Sequence, residues 1–388
     1  MVSSNRSAAD RSSVRTLVIR SGVDMAVRVL VSGGGIGGLT AAAALTQRGI
    51  EVDLVEREAA WRTNGAGISI NPNGDRVLRD LGLDEAVSDA GFRIETLQLM
   101  NPVGTSIGEF PFGQWPGVGG SIAIHRDPLQ RVLVEAASGA RLALGKTVRE
   151  IDVGDRAARV TFDDGSRSEY DVVVVAEGIR STTRAAVFGP VHPRPTGQMY
   201  WRTAVDQVFV DMLTMVADED RFVSLIPLGR GQTYIAVQTR SDPIAVEPGK
   251  RIASMRTATD GIGGPVRAVI DAIRSDDDVF VGPAEEVADI HWRQSRVILI
   301  GDAAHALSPS FGQGANLAIE DAYVLAEELA SIDDVDAALD AFVVRRQPRV
   351  AFVQEQTAER IELVNRGANQ RDLYAATQLV ETHLSAPI

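Results

Sequence analysis

Short apolar runs alternate with longer segments of mixed polarity along this chain, a pattern typical of strands connected by helices. Val27–Val31 is mainly apolar, too short for a helix and followed closely by glycine, so it predicts a buried strand. The alanine-rich stretch Leu39–Leu45 predicts a helix that ends at Gly49. Val52–Val55 predicts a second buried strand. The chain therefore opens with the βαβ pattern of an α/β domain.

Later segments continue this alternation. Asp171–Val175 and Val297–Ile300 each predict a buried strand, and a long helix is predicted from Gly314 to Ala330. Residues 252–274 predict a further helix, and the end of the chain is helical in pattern with a break at Pro348. Between these segments lie alternating strands with turn residues, which predict additional β-sheet of the half-exposed kind.

These elements divide the chain into four predicted parts. They are a disordered tail (1–24), a dinucleotide-binding domain (25–75, 121–189 and 284–330), a β-sheet substrate domain inserted into it (76–120 and 190–283) and C-terminal helices (331–388). The tail is rich in serine and arginine, and its one short apolar run is too brief for the core of a signal peptide. The predicted class is a mixed α/β and α+β fold.

A glycine motif joins the first strand to the first helix as Gly33, Gly35 and Gly38. Gly33 allows a tight turn, Gly35 lets a pyrophosphate approach the backbone, and Gly38 lets helix and strand pack closely. The free N–H groups at the helix start then bind the anion. Glu56, 18 residues beyond Gly38, is placed to accept hydrogen bonds from a ribose diol and would repel a 2′-phosphate. The site is therefore predicted to hold FAD or NAD rather than NADP.

A second acid and a second glycine-rich helix start occur late in the chain. Asp302 follows a buried strand and Gly301, and its carboxylate can accept from a sugar-alcohol hydroxyl. Gly312 and Gly314 precede the long helix, whose free N–H groups would stabilise an electron-poor ring that gains negative charge on reduction. A nicotinamide dinucleotide needs neither feature, so bound FAD is favoured over a plain NAD-binding module.

The amino-acid composition excludes several kinds of binding partner and several kinds of reactive group. With 45% hydrophobic and 23% charged residues the chain is typical of globular proteins, and no apolar run reaches the roughly 18 residues that span a bilayer. A net charge of -13 argues against nucleic acid and anionic membranes as partners. The absence of cysteine excludes disulfides, a thiolate nucleophile and flavin attachment through sulfur, and it fits a cytoplasmic location. No cluster of side chains predicts a metal site.

Three motifs in this order resemble those of the class A flavoprotein monooxygenases, the family of p-hydroxybenzoate hydroxylase and salicylate-hydroxylase-like enzymes. They are the glycines from Gly33 to Gly38, then Glu177 with Gly178, and then Gly301 with Asp302; GDAAHALSPSFGQGANLAIEDA is the most specific stretch. The resemblance implies a Rossmann-like FAD-binding domain with an inserted β-sheet substrate domain and a C-terminal helical segment. The family's middle motif carries aspartate, where this chain has Glu177.

The resemblance also implies roles for single positions. Glu56 would bind the adenosine ribose, Arg126 the pyrophosphate or ribityl region, and Asp302 the ribityl chain. Pro309 would lie over the isoalloxazine, and the backbone of residues 314–316 would donate to the pyrimidine edge. The predicted cofactor-binding set is Gly33, Gly35, Ile36, Gly37, Gly38, Glu56, Arg57, Arg126, Glu177, Gly178, Gly301, Asp302, Gly312, Gly314, Ala315 and Asn316.

The reaction implied by the resemblance is an NAD(P)H-dependent hydroxylation or epoxidation. NADPH or NADH reduces FAD, O2 forms a flavin C4a-hydroperoxide, and its distal oxygen passes to an aromatic or unsaturated small molecule. The predicted catalytic residues are Pro309, by the resemblance, and Arg202, whose strand could bring it to an anionic substrate. A surface strand arginine is the equal alternative for Arg202, and a structural role is favoured for His305.

Two other functions stay open at the level of sequence. One is a two-component or non-hydroxylating flavoenzyme of the same fold, although the W-x-W-x-I-P segment of a halogenase does not occur. The other is a flavin-binding scaffold without turnover, for which Glu177 in place of aspartate is the support. The sequence is compatible with either nicotinamide cofactor and with a monomer or a homodimer.

Overall fold

The structure is a computed structural model that describes residues 27–61, 66–115, 118–218, 221–288, 290–367 and 370–388. The predicted disordered tail, residues 1–24, lies outside these ranges. The strands are β1 (Arg28–Ser32), β2 (Glu51–Glu56), β3 (Gly67–Ile70), β4 (Phe92–Ile94), β5 (Thr96–Met100), β6 (Ser106–Pro111), β7 (Gln114–Trp115), β8 (Gly119–His125), β9 (Arg141–Leu144), β10 (Val148–Val153), β11 (Ala158–Phe162), β12 (Arg167–Tyr170), β13 (Val172–Val175), β14 (Arg194–Val205), β15 (Leu213–Ala217), β16 (Arg221–Leu228), β17 (Gln232–Arg240), β18 (Phe280–Glu286), β19 (Arg293–Gln294) and β20 (Val297–Leu299). The helices are α1 (Ile36–Gln47), α2 (Pro72–Asp80), α3 (Asp84–Ala90), α4 (Arg126–Ala136), α5 (Thr182–Phe188), α6 (Arg251–Ala258), α7 (Gly264–Ala272), α8 (Asp302–His305), α9 (Gly314–Ser331), α10 (Val335–Asn365) and α11 (Gln370–Ser385).

One half of the molecule is built on a mainly parallel sheet. Within the described residues its strand order is β19-β20-β13-β1-β2-β9, and every pair except β19 with β20 is parallel. β13 is four consecutive valines, all buried, as expected for a strand covered on both faces. The carboxyl ends of β1, β2, β13 and β20 lie at one edge of this sheet, where ligands bind in open α/β folds.

The other half is a sheet with the order β18-β14-β17-β16-β15-β5-β6. One face packs on α6 and α7 through a buried apolar cluster that includes Trp201, Leu225 and Val266. The opposite face is turned towards the first half, since Tyr234 lies against Gly67 of β3. The fold is thus the mixed α/β class that the sequence predicted, with a second sheet facing the carboxyl edge of the first.

Two local predictions differ from the structure. Residues 252–274 form two short helices, α6 and α7, because the chain turns at Thr259–Gly263 between them. The predicted break at Pro348 is wrong, since α10 continues through it from Val335 to Asn365. Proline costs a helix interior about 3 kcal/mol, but burial of α10 residues such as Phe342 and Val350 outweighs that local cost.

The predicted domain division at residue 76 separates elements that pack together. α2 and α3 contribute Val77, Leu78 and Val87 to the same buried apolar cluster as the parallel sheet. Residues of β5 and β6, by contrast, extend the sheet of the second half. We therefore propose that residues 76–91 belong with the FAD-binding domain and that the substrate domain begins near β5.

Candidate functional site

The loop after β1 forms an open anion cradle. Gly33 has a φ of +112°, and its N–H donates to Val55 O at 2.8 Å, so the chain turns tightly off the strand. A Cβ placed on Gly38 would lie 1.9 Å from Gly33 O, so α1 packs directly on the turn. A Cβ on Gly35 would meet nothing within 4 Å. Because Gly35 caps α1 without a side-chain hydrogen bond, the N–H groups of the first turn, which includes Ile36, face open space.

Glu56 is fixed at the carboxyl end of β2. Its Oε2 accepts from Gly34 N at 2.7 Å and its Oε1 accepts from Glu58 N at 2.9 Å. Each carboxylate oxygen has a second lone pair, so both can still accept from a ribose hydroxyl. Arg57 is exposed, and its side chain lies 3.5 Å from the carboxylate of Glu58.

The second acid lies at the start of the helix after β20. Gly301 has a φ of +58° and precedes α8, which begins with the exposed Asp302. Desolvation by the surrounding protein raises the pKa of Asp302, and the nearby charges of His305 and Arg126 oppose this. Arg126, the exposed first residue of α4, therefore lies on the same side of the molecule as Asp302 and within range of its charge.

The start of α9 has free backbone donors and a rigid support. Gly312 adopts the left-handed conformation (φ +63°), and the residue that caps α9 makes no side-chain hydrogen bond to the helix. The side chain of Asn316 accepts from Asn71 N at 2.9 Å and donates to Ser69 O and Gly312 O. Asn316 thus fixes this helix start to β3, while Gly314 and Ala315 are only partly buried.

Glu177, the departure from the family motif, is enclosed by hydrogen-bond donors. Its Oε1 accepts from Ser32 Oγ at 2.6 Å and from Thr183 Oγ1 at 2.5 Å. Its Oε2 accepts from Ser181 Oγ at 2.7 Å and from Thr183 N at 3.0 Å. The carboxylate therefore ties the end of β1 to the start of α5, and the longer side chain is accommodated. Gly178 follows with a φ of +82°.

A buried ionic network that the sequence analysis missed supports the Gly301 turn. Asp321 on α9 accepts from Gly301 N at 3.0 Å and lies 2.6 Å from His305 Nε2. Burial would raise the pKa of Asp321, but His305 and Arg346 together lower it to about 2. Arg346 also lies 2.7 Å from Glu320, and all four of these ionisable side chains are buried. The acidic pair in the sequence IEDA was the only available signal.

Arg202 reaches the face of the second sheet that is turned towards the nucleotide-binding half. Its side chain is exposed and, among the described residues, has no acidic partner; its guanidinium lies 6.0 Å from the ring centre of Tyr200. Tyr200 is buried, which raises its pKa to about 12, and it lies beside Ser308 and Ser310, which flank Pro309. Ser308 Oγ donates to Gln198 at 2.8 Å, so the Pro309 turn is fastened to β14.

These positions converge from four strand ends and fit a bound FAD. The open side of Gly35 suits a pyrophosphate, and the acid at Glu56 suits a ribose. The opposite charges of Asp302 and Arg126 suit a ribityl chain. The free donors at the start of α9 suit the ring. The structure brings both predicted catalytic residues, Pro309 and Arg202, to the same cleft. Ser308, next to Pro309, lies beside Tyr200 and donates to Gln198, and both of these lie on the strand that carries Arg202.

Gly35→Ala is expected to weaken FAD binding by about 10- to 100-fold, because a Cβ would occupy the space that a pyrophosphate needs. The backbone at Gly35 has a φ of -77°, which alanine adopts without strain. Apart from its chain neighbours, none of the described residues comes within 4 Å of the new methyl. Thermal unfolding of the apoprotein should therefore change little. Fluorescence titration with FAD measures the affinity, and an unchanged value would mean that the phosphates do not pass over Gly35.

Comparisons with known proteins give consistent matches. The model of the FAD binding domain family matches residues 26–357. Aurachin C monooxygenase/isomerase of Stigmatella aurantiaca is 34% identical over 83% of this chain and 85% of its own. The 2-heptyl-3-hydroxy-4(1H)-quinolone synthase of Pseudomonas aeruginosa (strain UCBPP-PA14) is 30% identical over 85% of this chain and 87% of its own. The structure of Klebsiella pneumoniae HpxO with FAD and uric acid is 26% identical, with a TM-score of 0.80 over 92% of this chain and 93% of that one.

The described residues lack two features, a membrane-spanning helix and a metal-binding cluster. None of their helices is long and apolar enough to cross a membrane. Nor do they contain a group of three or more histidine, aspartate or glutamate side chains that could hold a metal ion.

Proposed function

We propose a substrate class for this chain, which belongs to the FAD binding domain family of class A flavoprotein monooxygenases. It is an FAD-dependent oxidoreductase that hydroxylates aromatic compounds, and NAD(P)H is the reductant typical of the family. The proposed substrate is a nitrogen-containing aromatic ring that bears a hydroxyl or oxo group. Support comes from the name of the Pseudomonas relative, which contains a hydroxylated quinolone, and from the uric acid bound by HpxO.

Arg202, which has no acidic partner in the part of the chain that the structure describes, carries this proposal. A ring of the proposed kind can lose its O–H or ring N–H proton, which leaves negative charge on the ring oxygen, and an adjacent guanidinium favours that charged form. The negative charge spreads into the ring and makes the neighbouring carbon electron-rich. Reduced FAD, when bound, supplies activated O2, and an electron-rich carbon is what that oxygen attacks. Arg202 would thus orient the ring and activate it by one contact.

The remaining residues would bind the cofactor and shape the cleft. We place the pyrophosphate over Gly35, the adenosine ribose at Glu56 and the ribityl chain between Asp302 and Arg126. The turn at Pro309 would lie over the flavin ring, held to the substrate sheet by Gln198 and Ser308. This connection would set the distance between the flavin and a ring held by Arg202.

The experiment is anaerobic mixing of FAD-loaded protein with NADPH and then NADH, in the presence of 4-quinolones, hydroxypyridines and simple phenols. The flavin should bleach slowly when no aromatic compound is present and much faster with the nitrogen heterocycles. When air is then admitted, mass spectrometry should detect a hydroxylated product. Faster bleaching and product formation with simple phenols alone would overturn the proposed substrate class.

Arg202→Gln should lower kcat/KM for these heterocycles by about 10²- to 10³-fold, because a charged hydrogen bond to the ring oxygen is lost. The loss should shrink as the pH rises above the substrate's own pKa, where the ring is anionic without help. Arg194→Gln is the matched control, since Arg194 lies exposed on the same strand and pairs with Glu286 at 3.5 Å. Equal losses in the two variants would mean that Arg202 acts as an ordinary surface arginine.

A further inference from the structure

The cleft face of the second sheet carries a row of side chains that crosses five strands. Register pairs connect Arg202 to Ala236, Ala236 to Ser224, Ser224 to Met215 and Met215 to Leu99. Paired residues of neighbouring strands share one face of a sheet, so these five side chains form a line. The line begins at the unpaired cation and ends at two flexible apolar side chains.

The middle of this line is a trough. Ala236 and Ser224 are small, while the residues two positions away on the same face are larger. On one side these are the paired Tyr234 and Ile226. The other side is formed by Gln238 and Phe222, which also pair with each other.

The trough is also open. Ala236, Ser224, Met215 and Leu99 are all only partly buried, although they lie on the face turned towards the FAD-binding half. On the opposite face of the same strands, Val223, Leu225, Ile235 and Val237 are fully buried under α6 and α7. Ala236 and Met215 also pack against a small apolar cluster that includes Leu213, Leu228 and Tyr234. Because both side chains are only partly buried, the cleft face still keeps accessible apolar surface along this line.

The dimensions and polarity of the trough specify a ligand. Five strands at roughly 4.8 Å spacing extend about 19 Å, enough for an aromatic ring at Arg202 and an extended chain of about seven to nine carbons beyond it. Apart from the Ser224 hydroxyl, nothing on the line beyond Arg202 offers a hydrogen bond. Met215 and Leu99 form the far end of the trough. Both are apolar, and the unbranched side chain of Met215 can adapt to the end of an alkyl chain.

We propose that this trough binds an unbranched alkyl chain attached to the aromatic ring, so that the substrate is an alkyl-substituted nitrogen heterocycle. The inference rests on the proposed function for its aromatic head and goes beyond it by assigning the tail a site of its own. Arg202 selects the ring oxygen, and the trough selects the tail by its length.

The test is a series of 2-alkyl-4-quinolones from methyl to undecyl, titrated into the FAD-loaded enzyme and followed by flavin fluorescence. Each added methylene should tighten binding by about three- to four-fold until the trough is full at about seven to nine carbons, after which the affinity should level off. Affinity that does not change with chain length, or no binding of any member, would overturn the trough.

A variant that fills the trough with a larger side chain gives the decisive test. Ala236→Leu should weaken the heptyl compound about 10-fold more than the methyl compound, which corresponds to about two buried methylenes. Ala253→Leu, the same change on the exposed side of α6, should alter neither. Ser224→Leu is the second trough variant, to be used if Ala236→Leu does not fold. Equal effects on methyl and heptyl compounds would contradict the assignment.

Two measurements distinguish failure of the proposed reaction from failure of the proposed alkyl-chain site. Oxygen uptake with the methyl compound tests ring hydroxylation without the tail, whereas the length dependence of the dissociation constants tests the trough without turnover. Length-dependent binding without oxidation would support the trough and refute the reaction. Oxidation of every member with equal KM would support the reaction and refute the trough.

Discussion

Arg346→Met is expected to destabilise the protein by about 3 kcal/mol, because two buried carboxylates lose their shared cation and keep Arg349 and His305 as their ionisable partners. Arg346 lies 2.7 Å from Glu320 and 2.8 Å from Asp321, and none of the three side chains is exposed. Methionine keeps the length and the packing of the side chain, so the loss reports on charge rather than on a cavity. Urea unfolding of the apoprotein measures the difference in free energy.

The neighbouring residue provides the control. Arg345 pairs with Glu327 and Glu328 at 2.8 and 2.9 Å, but it is about one-third exposed, so Arg345→Met should cost only about 1 kcal/mol. Arg346→Met should also weaken FAD binding, because Asp321 holds the N–H of Gly301 next to the proposed ribityl site. If both variants unfold at the same urea concentration, Glu320 and Asp321 do not depend on the buried arginine.

Gly38→Ala is expected to destabilise the fold by about 3 kcal/mol or more and to yield protein without flavin. The new Cβ would lie 1.9 Å from Gly33 O and 3.3 Å from the Cβ of Ala176. Both are parts of the short connections at the sheet edge, so α1 must move away from β1 and distort the anion cradle. Thermal unfolding and the flavin absorbance of the purified protein measure the two effects.

Gly35→Ala is the matched comparison, since it makes the same substitution three residues earlier in the same glycine motif, at the residue that caps α1. Its methyl group points into open space, so only FAD affinity should change, whereas Gly38→Ala should change both affinity and stability. A Gly38→Ala protein as stable as the parent would show that α1 does not pack on the Gly33 turn as described.

The sequence alone was sufficient for features that depend on a few neighbouring residues at fixed spacing. The glycine turn after β1, the acids that follow β2 and β20, and the start of α9 all have local signatures, since each is set by backbone freedom, strand length or helix start. Their order along the chain favoured FAD as the cofactor, and the family resemblance of the three motifs implied an oxygenating flavoenzyme. Both predictions are confirmed by the comparisons.

Features that depend on distant residues were decided only by the tertiary structure. Pro348 is tolerated because its helix is packed on one side, which local propensity cannot foresee. Asp321 meets an arginine 25 positions away, and Glu177 finds donors both at the start of α5 and at Ser32, 145 positions away. The trough unites strands from residue 99 to residue 236 through pairings that leave no mark in any single segment. Local pattern therefore determined which cofactor this protein binds, whereas sheet register, a long-range property, decided the shape of the space beside it.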